Sequence, residues 1–447
     1  MPRYLFVTGK LAAKSLTATL EKMSPDFEYE LAVLPISVAA LMDTHFVAKH
    51  LDSARGSDVI MIPGYCKGDL ALIADKTGAQ VVRGPKDLKD IPAAFGQQRQ
   101  LEGYGEYRTK ILAEIIDAYE LGLDQIVGHA EYFRASGADI IDLGCPVKGH
   151  FPNVGEVVTA LKTRGYTLSL DTFEPEDILE ADRAGVDYLL SINSRNIELA
   201  PRLKCKVVVI PDFDQGLESL ERNIAQLEAW NVPYIIDPIL NPIGFGFTES
   251  IYRFCETRQR YPHAEILMGV GNLTELTGAD STGINAVMAG IIAELDINYV
   301  LTTEVISWAR GAVRELDLAR RLMHYAYTHH SLPKHLDDGL LTIKDPPHEH
   351  YTEDELRAMQ AQVRDRNFRI FTDDDNIYVF NNKLFIKSTD LKEIWSQLGV
   401  DDPSHAFYLG RELQKAALAV RLGKKYTQEA ELQWGYLSGG EQSWHSL

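Results

Sequence analysis

Four short apolar runs in the middle of the chain end in the same chemistry. Thr167-Leu-Ser-Leu-Asp171, Tyr188-Leu-Leu-Ser-Ile-Asn193, Pro233-Tyr-Ile-Ile-Asp237 and Ile266-Leu-Met-Gly-Val-Gly-Asn272 each stop at a carboxylate or carboxamide near a Gly, Pro, Ser or Thr. A carboxylate accepts hydrogen bonds, and a carboxamide both donates and accepts. Such a set suits a flat heterocycle with an amino group beside a ring N–H. One carboxylate takes both donors, and the asparagines read the neighbouring carbonyl and ring nitrogens. Each residue alone has a plainer use. Asp171-Thr-Phe-Glu-Pro reads equally well as a helix N-cap, and Asp237-Pro as the opening of a loop. Repetition at four run ends favours the ligand reading.

Helix-length spacers separate the runs, so the elements behind them are β-α repeats. Candidate strands are Lys110–Ile116, Asp139–Leu143, Thr167–Leu170, Tyr188–Ile192, Lys206–Ile210, Tyr234–Ile236, Ile266–Gly269 and Tyr299–Thr302. Eight of them make a closed (β/α)8 TIM barrel, in which all the strand ends face one mouth and active sites sit there. The spacer from Asn193 to Lys206 is short and predicts a brief helix. Leu316, Ala319 and Met323 give the helical spacing of the last one, over 313–323.

On either side the pattern changes. Strand-like runs at 4–8, 30–34, 59–62 and 80–82 alternate with helical stretches and predict a small open parallel sheet of Rossmann-like type. Its turns Thr8-Gly-Lys10 and Pro63-Gly-Tyr-Cys-Lys-Gly68 fall at strand ends, but Gly9-Lys10 lacks the spacing of a phosphate loop. Residues 90–107, with Pro92, Gly96, Gly103 and Gly105, read as a linker. Residues 331–351 read as a second one, and their histidines, with His324, His329 and His330, have no metal-ligand spacing and are expected to be solvated. Beyond it, runs at 368–373, 376–380 and 383–387 and a helix at 406–422 predict a small α+β domain. Trp434 and Tyr436 are expected to pack on the barrel or on a second subunit. The fold class is therefore α/β, with domains at 1–100, 108–330 and 350–447.

Composition limits the function. A net charge of −19 over 447 residues argues against nucleic acid or an anionic membrane as partner. No apolar stretch is long enough to span a membrane, and no signal-peptide core follows Met1, so a cytoplasmic protein is expected. Cys66, Cys145, Cys205 and Cys255 lie far apart. They fit buried small hydrophobes in a reducing compartment.

Residues 110–325 resemble the pterin-binding barrels, which comprise dihydropteroate synthase and the methyltetrahydrofolate–corrinoid methyltransferases. The resemblance lies in Ser136-Gly-Ala-Asp-Ile-Ile-Asp-Leu-Gly144, Leu168-Ser-Leu-Asp-Thr172, Ile192-Asn-Ser-Arg-Asn196 and Ile236-Asp-Pro-Ile-Leu-Asn-Pro-Ile-Gly-Phe-Gly246. It implies that Asp171, Asn193 and Asp237, with Gly244 and Asn272, contact a pterin, whose 2-amino-4-oxo edge has the donor pattern described above. The chain departs from the synthase in two loops, where Glu114-Ile-Ile-Asp117 and Cys145-Pro-Val-Lys-Gly-His-Phe-Pro152 stand. With its flanking segments it is similar to dihydropteroate-synthase-related proteins of organisms that use methanopterin-type carriers.

That resemblance implies a transferase of one-carbon coenzyme biosynthesis. It would join 6-hydroxymethyl-7,8-dihydropterin diphosphate to an arylamine, 4-(β-D-ribofuranosyl)aminobenzene 5′-phosphate in place of p-aminobenzoate. Asp171 and Asp237 would stabilise the cationic methylene. Arg310 and Arg314 would take the diphosphate, with Mg²⁺ held partly by Glu114, and Lys148 and His150 would face the arylamine phosphate. A homodimer paired through helices outside the barrel is expected. Methyl transfer from a methyl-pterin to a corrinoid protein and a silent pterin-binding subunit are the alternatives.

Overall fold

The computed structural model describes residues 2–85, 88–95, 101–348 and 350–439. Gly96, Glu349 and the polar tail beyond 439 lie outside the described residues. The chain forms two compact units, Met1–Glu102 and Gly103–Leu447.

The first unit is a four-stranded parallel sheet in the order β2-β1-β3-β4. Its elements are β1 (Tyr4–Gly9), α1 (Ala13–Met23), β2 (Tyr29–Leu34), α2 (Thr44–His50), β3 (Val59–Ile62), α3 (Ala71–Thr77) and β4 (Gln80–Arg83). The central strands β1 and β3 are buried along most or all of their length, as expected of a parallel sheet covered on both faces. The first part of the expected linker is helical instead, as α4 (Ile91–Ala94), because Ile91 is buried with Phe6, Leu16 and Leu20.

The second unit holds the barrel. Its strands are β5 (Lys110–Ile115), β6 (Ile140–Gly144), β7 (Leu168–Asp171), β8 (Tyr188–Ile192), β9 (Lys206–Val209), β10 (Tyr234–Ile236), β11 (Leu267–Gly269) and β12 (Tyr299–Thr302). All eight pair in parallel in the order β10-β9-β8-β7-β6-β5-β12-β11, and a bridge between Ile236 and Ile266 joins the two ends. The helices are α5 (Leu123–Ser136), α6 (Val154–Thr163), α7 (Pro175–Ala184), α8 (Gly216–Ala229), α9 (Phe247–Arg260), α10 (Gly271–Thr274), α11 (Ser281–Glu294) and α12 (Ala312–Thr328). Only a 3-10 turn, Ile197–Arg202, separates β8 from β9. That is the brief helix the spacing predicts.

Side-chain alternation divides each strand between two cores. Leu112, Ile140, Leu190, Val208, Ile235, Leu267 and Tyr299 fill the barrel interior. Their neighbours of opposite parity, such as Ile111, Ile141, Val207 and Ile236, pack outward under the helices. The interior is closed by apolar side chains below the level of the mouth, so it is a packed floor rather than a channel.

The C-terminal part contains α13 (Glu353–Gln362), the antiparallel strands β13 (Arg369–Thr372), β14 (Ile377–Phe380) and β15 (Phe385–Ser388), α14 (Leu391–Leu398) and α15 (Pro403–Leu422). It falls in the same compact unit as the barrel. Part of the reason is local. The Tyr436 hydroxyl donates to Glu315 of α12 at 2.9 Å, so this segment packs on the barrel. Nearby, Lys424 has a fully buried side chain that binds Asp345 at 3.0 Å and lies 4.5 Å from the Trp434 ring centroid. The linker histidines are not all solvated either. His350 is pinned between Thr372 O at 3.0 Å and Asp374 at 3.2 Å.

Candidate active site

The alternation that builds the floor also builds the layer above it. Two residues beyond Leu112 comes Glu114, two beyond Ile140 comes Asp142, and two beyond Ile235 comes Asp237. Asp171 ends β7 opposite Gly144, while Glu114 pairs in register with Asp142, and Asp142 with Ser169. The mouth is thus floored by four carboxyls from four strands. Gly144 makes room for this. A Cβ there would meet Ile115 O at 2.9 Å and Glu114 Oε1 at 3.0 Å.

None of these carboxyls has an ion-pair partner within 4 Å among the described residues, and their acidity responds. Burial first, then Asp142 and Asp171, push Glu114 up to about 8. Burial, Asp142 and Asp237 push Asp171 up to about 8. Asp237 rises to about 7 by burial, although the Ile239 N–H and the Arg253 charge oppose it. Asp142 rises to about 6 by burial, opposed by the Ser169 hydroxyl that donates to it. Groups so close share protons, so the set titrates together around neutrality. It can present an acceptor carboxylate and a donor carboxylic acid side by side.

Asp171 does not cap the next helix. The N-cap of α7 is Glu174, and the Glu174 N–H is taken by Thr172 instead. Asp237 does open its loop, accepting from Ile239 N at 2.8 Å. Asn193 is fully buried and accepts from Arg195 N at 3.1 Å, while its Nδ2 has no partner. Asp142 Oδ2 is likewise buried and unsatisfied. An orphaned donor and an orphaned acceptor at one mouth are what a polar ligand would satisfy, since each otherwise costs about 1–3 kcal/mol. Asn272 is exposed, and its amide is committed to Leu240 O at 2.7 Å.

The rim residues diverge. Lys148 and Gly244 sit exposed on the loops after β6 and β10. His150 contacts Asp177 at 3.3 Å and Glu176 at 3.6 Å, so it is tied to the start of α7. Arg310 is exposed before α12. Arg314 points elsewhere: it reaches along α12 to Asp317 at 3.1 Å. The first turn of that helix, where a phosphate would be favoured, already holds an anion of the chain, for Glu304 accepts from Val313 N at 3.0 Å. Among the described residues no three His, Cys, Asp or Glu side chains are placed to hold a metal ion by themselves.

Three participants were not singled out from the sequence. Asp142 and Ser169 lie inside strands quoted above, and their parity with Leu112 and Glu114 is the signal that marks them. Arg253 comes from α9 and bonds Ile239 O at 2.8 Å and Asn241 at 3.2 Å, which holds the loop after Asp237. Around the mouth the loops carry exposed apolar side chains, among them Val147, Phe173, Phe213, Ile243, Phe245 and Leu276. Phe173 and Phe213 lie 6.1 Å apart, and the Arg195 guanidinium lies 5.0 Å from the Phe213 centroid.

With the geometry in hand, comparison with known proteins is informative. Residues 349–429 match the PterinBD-DUF4346 family. Residues 3–86 match DUF6513, a family of unknown function. An uncharacterized protein of Methanocaldococcus jannaschii is 28% identical, with 96% of this chain and 99% of that protein covered. Among solved structures, the dihydropteroate synthase of Yersinia pestis with a pterine-sulfa conjugate is 18% identical. It has a TM-score of 0.40 and covers 49% of this chain and 95% of its own. That of Thermus thermophilus with 4-aminobenzoate is 20% identical, with a TM-score of 0.39, over 49% of this chain and 94% of its own. No helix of the described residues is long and apolar enough to cross a membrane.

Proposed function

We propose that this protein is a pterin-utilising transferase whose barrel mouth holds the ring by its amino-oxo edge. The observation that carries the reading is the orphaned, fully buried Asn193 amide set among Asp171, Asp237, Asp142 and Glu114. The ionised member of the set accepts the two parallel donors of the ring, and the Asn193 amide donates to the ring carbonyl or a ring nitrogen. A protonated carboxyl beside them donates to a further acceptor. The PterinBD name of the matched C-terminal family supports the same ligand class.

The reaction we assign is condensation of 6-hydroxymethyl-7,8-dihydropterin diphosphate with a ribofuranosyl-aminobenzene phosphate. The C–O bond at the pterin methylene breaks and the diphosphate leaves with the electron pair. The cationic methylene is stabilised by the carboxylates below it. The arylamine nitrogen attacks, and its proton passes to the carboxyl set, whose raised acidity range suits a base near neutrality. Arg310 and Lys148 are the exposed cations available for the two phosphate groups; Arg314 is not, being held by Asp317. Diphosphate release, followed with purified protein, the pterin diphosphate and either amine, tests this. Release that depends on the ribosylated amine is expected. No release with either amine, despite pterin binding, overturns the condensation.

Methyl transfer from a methyl-pterin is the second reading, and two observations favour it. Glu304 already occupies the helix N-terminus a leaving diphosphate would use. The apolar rim fits a protein partner delivering an acceptor. Transfer of methyl to a cob(I)alamin acceptor, with no diphosphate in the assay, would support this reading over condensation.

A further inference from the structure

The first unit carries a cavity that the barrel chemistry does not use. It measures about 300 Å³ and lies against the carboxyl ends of β1 and β3. In the order β2-β1-β3-β4 the chain leaves β1 on one side and returns to the other, so the strand order reverses between β1 and β3. Open parallel sheets bind ligands at that crevice. Its walls are apolar, with Phe6, Leu16, Met61 and Ile91 among them, and among the described residues no Asp, Glu, Lys, Arg or His lines it. The loops after β3 and β4 meet there without side chains between them. A Cβ on Gly64 would meet Gly84 O and Pro85 C at 2.6 Å.

Three further observations point to an occupant. Thr8 lines the cavity and is 3% exposed, and its hydroxyl has no partner among the described residues. Helix α1 begins at the cavity wall, at Ala12, with no side-chain cap and no acidic residue in its first turn. Its first N–H groups are donors in want of an acceptor. Leu11 and Val38 also line the cavity, yet they are 73% and 42% exposed, an arrangement that a seated apolar ligand would cover.

We propose that this crevice binds an uncharged, largely apolar small molecule of one or two fused rings bearing a carbonyl-type acceptor, which meets the Thr8 hydroxyl and the first turn of α1. A volume of about 300 Å³ admits such a ring system. Among the described residues the wall carries no cation, which selects against a phosphorylated ligand, because an anion would be desolvated there without a counter-charge.

The test uses the full chain and 7-methoxycoumarin, a neutral fused ring with one carbonyl, followed by fluorescence. Saturable binding at one site per chain is expected. Ala12→Phe, which fills the cavity, should weaken it at least tenfold, and Thr8→Val about fivefold, the worth of one hydrogen bond. Ala39→Leu narrows the opposite wall and should also weaken binding, which covers the case in which Ala12→Phe fails the check of circular dichroism and thermal unfolding. 4-Methylumbelliferyl phosphate, a similar ring carrying two negative charges, should bind at least tenfold more weakly. Non-saturable binding, unchanged binding in the folded cavity variants, or tighter binding of the phosphate ester would each overturn the proposal.

Discussion

The barrel holds two buried acidic clusters, and it treats them in opposite ways. At its foot, Asp317 is 2% exposed, and Arg320, Arg321 and Arg314 all reach it. Arg320 also binds Asp139 and lies 3.5 Å from the Tyr107 ring centroid. At the mouth, Glu114, Asp142, Asp171 and Asp237 have no ion-pair partner among the described residues and rise toward neutral acidity instead. A chain able to supply arginines to one acidic cluster and not to the other has kept the second open. The foot is architecture, and the mouth is the place proposed to meet a ligand's donors.

Breaking each cluster should separate the two roles. Arg320→Ala has the largest expected effect: it leaves Asp317 and Asp139 short of a buried partner and should cost about 3–5 kcal/mol. Urea unfolding measures it, and pterin binding by the folded fraction should survive. Asp237→Asn or Asp171→Asn should do the reverse. Loss of a charge-assisted contact worth about 2–3 kcal/mol weakens binding of a pterin analogue roughly 30- to 150-fold in calorimetry. Stability should hold or improve; unchanged binding would count against the site.

The comparison also has a pH signature. The mouth carboxyls titrate near 4 when unfolded and near 6 to 8 when folded. Between those limits the folded state binds more protons, so their contribution is complete at acid pH and is lost as pH rises toward 8. The melting temperature should therefore decline between pH 5 and pH 9, and the Glu114→Gln, Asp171→Asn double variant should flatten that decline. A still smaller effect is expected at the C-terminal contact. Tyr436→Phe removes one of four donors to Glu315, at a cost of about 1 kcal/mol, read by thermal unfolding.

Most of the barrel was legible because its signals are local. Each strand is an apolar run ending in a turn residue, and the observed bounds differ from the expected ones by a residue or so. Asp171 and Asp237 were legible for the same reason. Asp142 was not, because its place at the mouth follows from register with Glu114 and Ser169, and pairing between strands is not written in either strand alone. Arg314 looked available as a lone cation, but its partner Asp317 lies one helical turn away and claims it. Tyr436 was expected to pack on the barrel or on a second subunit, but its partner Glu315 was hidden, since the contact joins residues 121 positions apart.

That last contact has a consequence for how the molecule is made. Glu315 sits at the start of the barrel's final helix, and Tyr436, its partner across those 121 positions, is translated long afterward. A ribosome adding about 5–20 residues each second needs several seconds to cover that distance. During that interval all eight strands have been translated, while Glu315 has Ser281, Thr282 and Asn285 as donors and still lacks the fourth. A chain cut short before Tyr436 would leave Glu315 with three of these four donors.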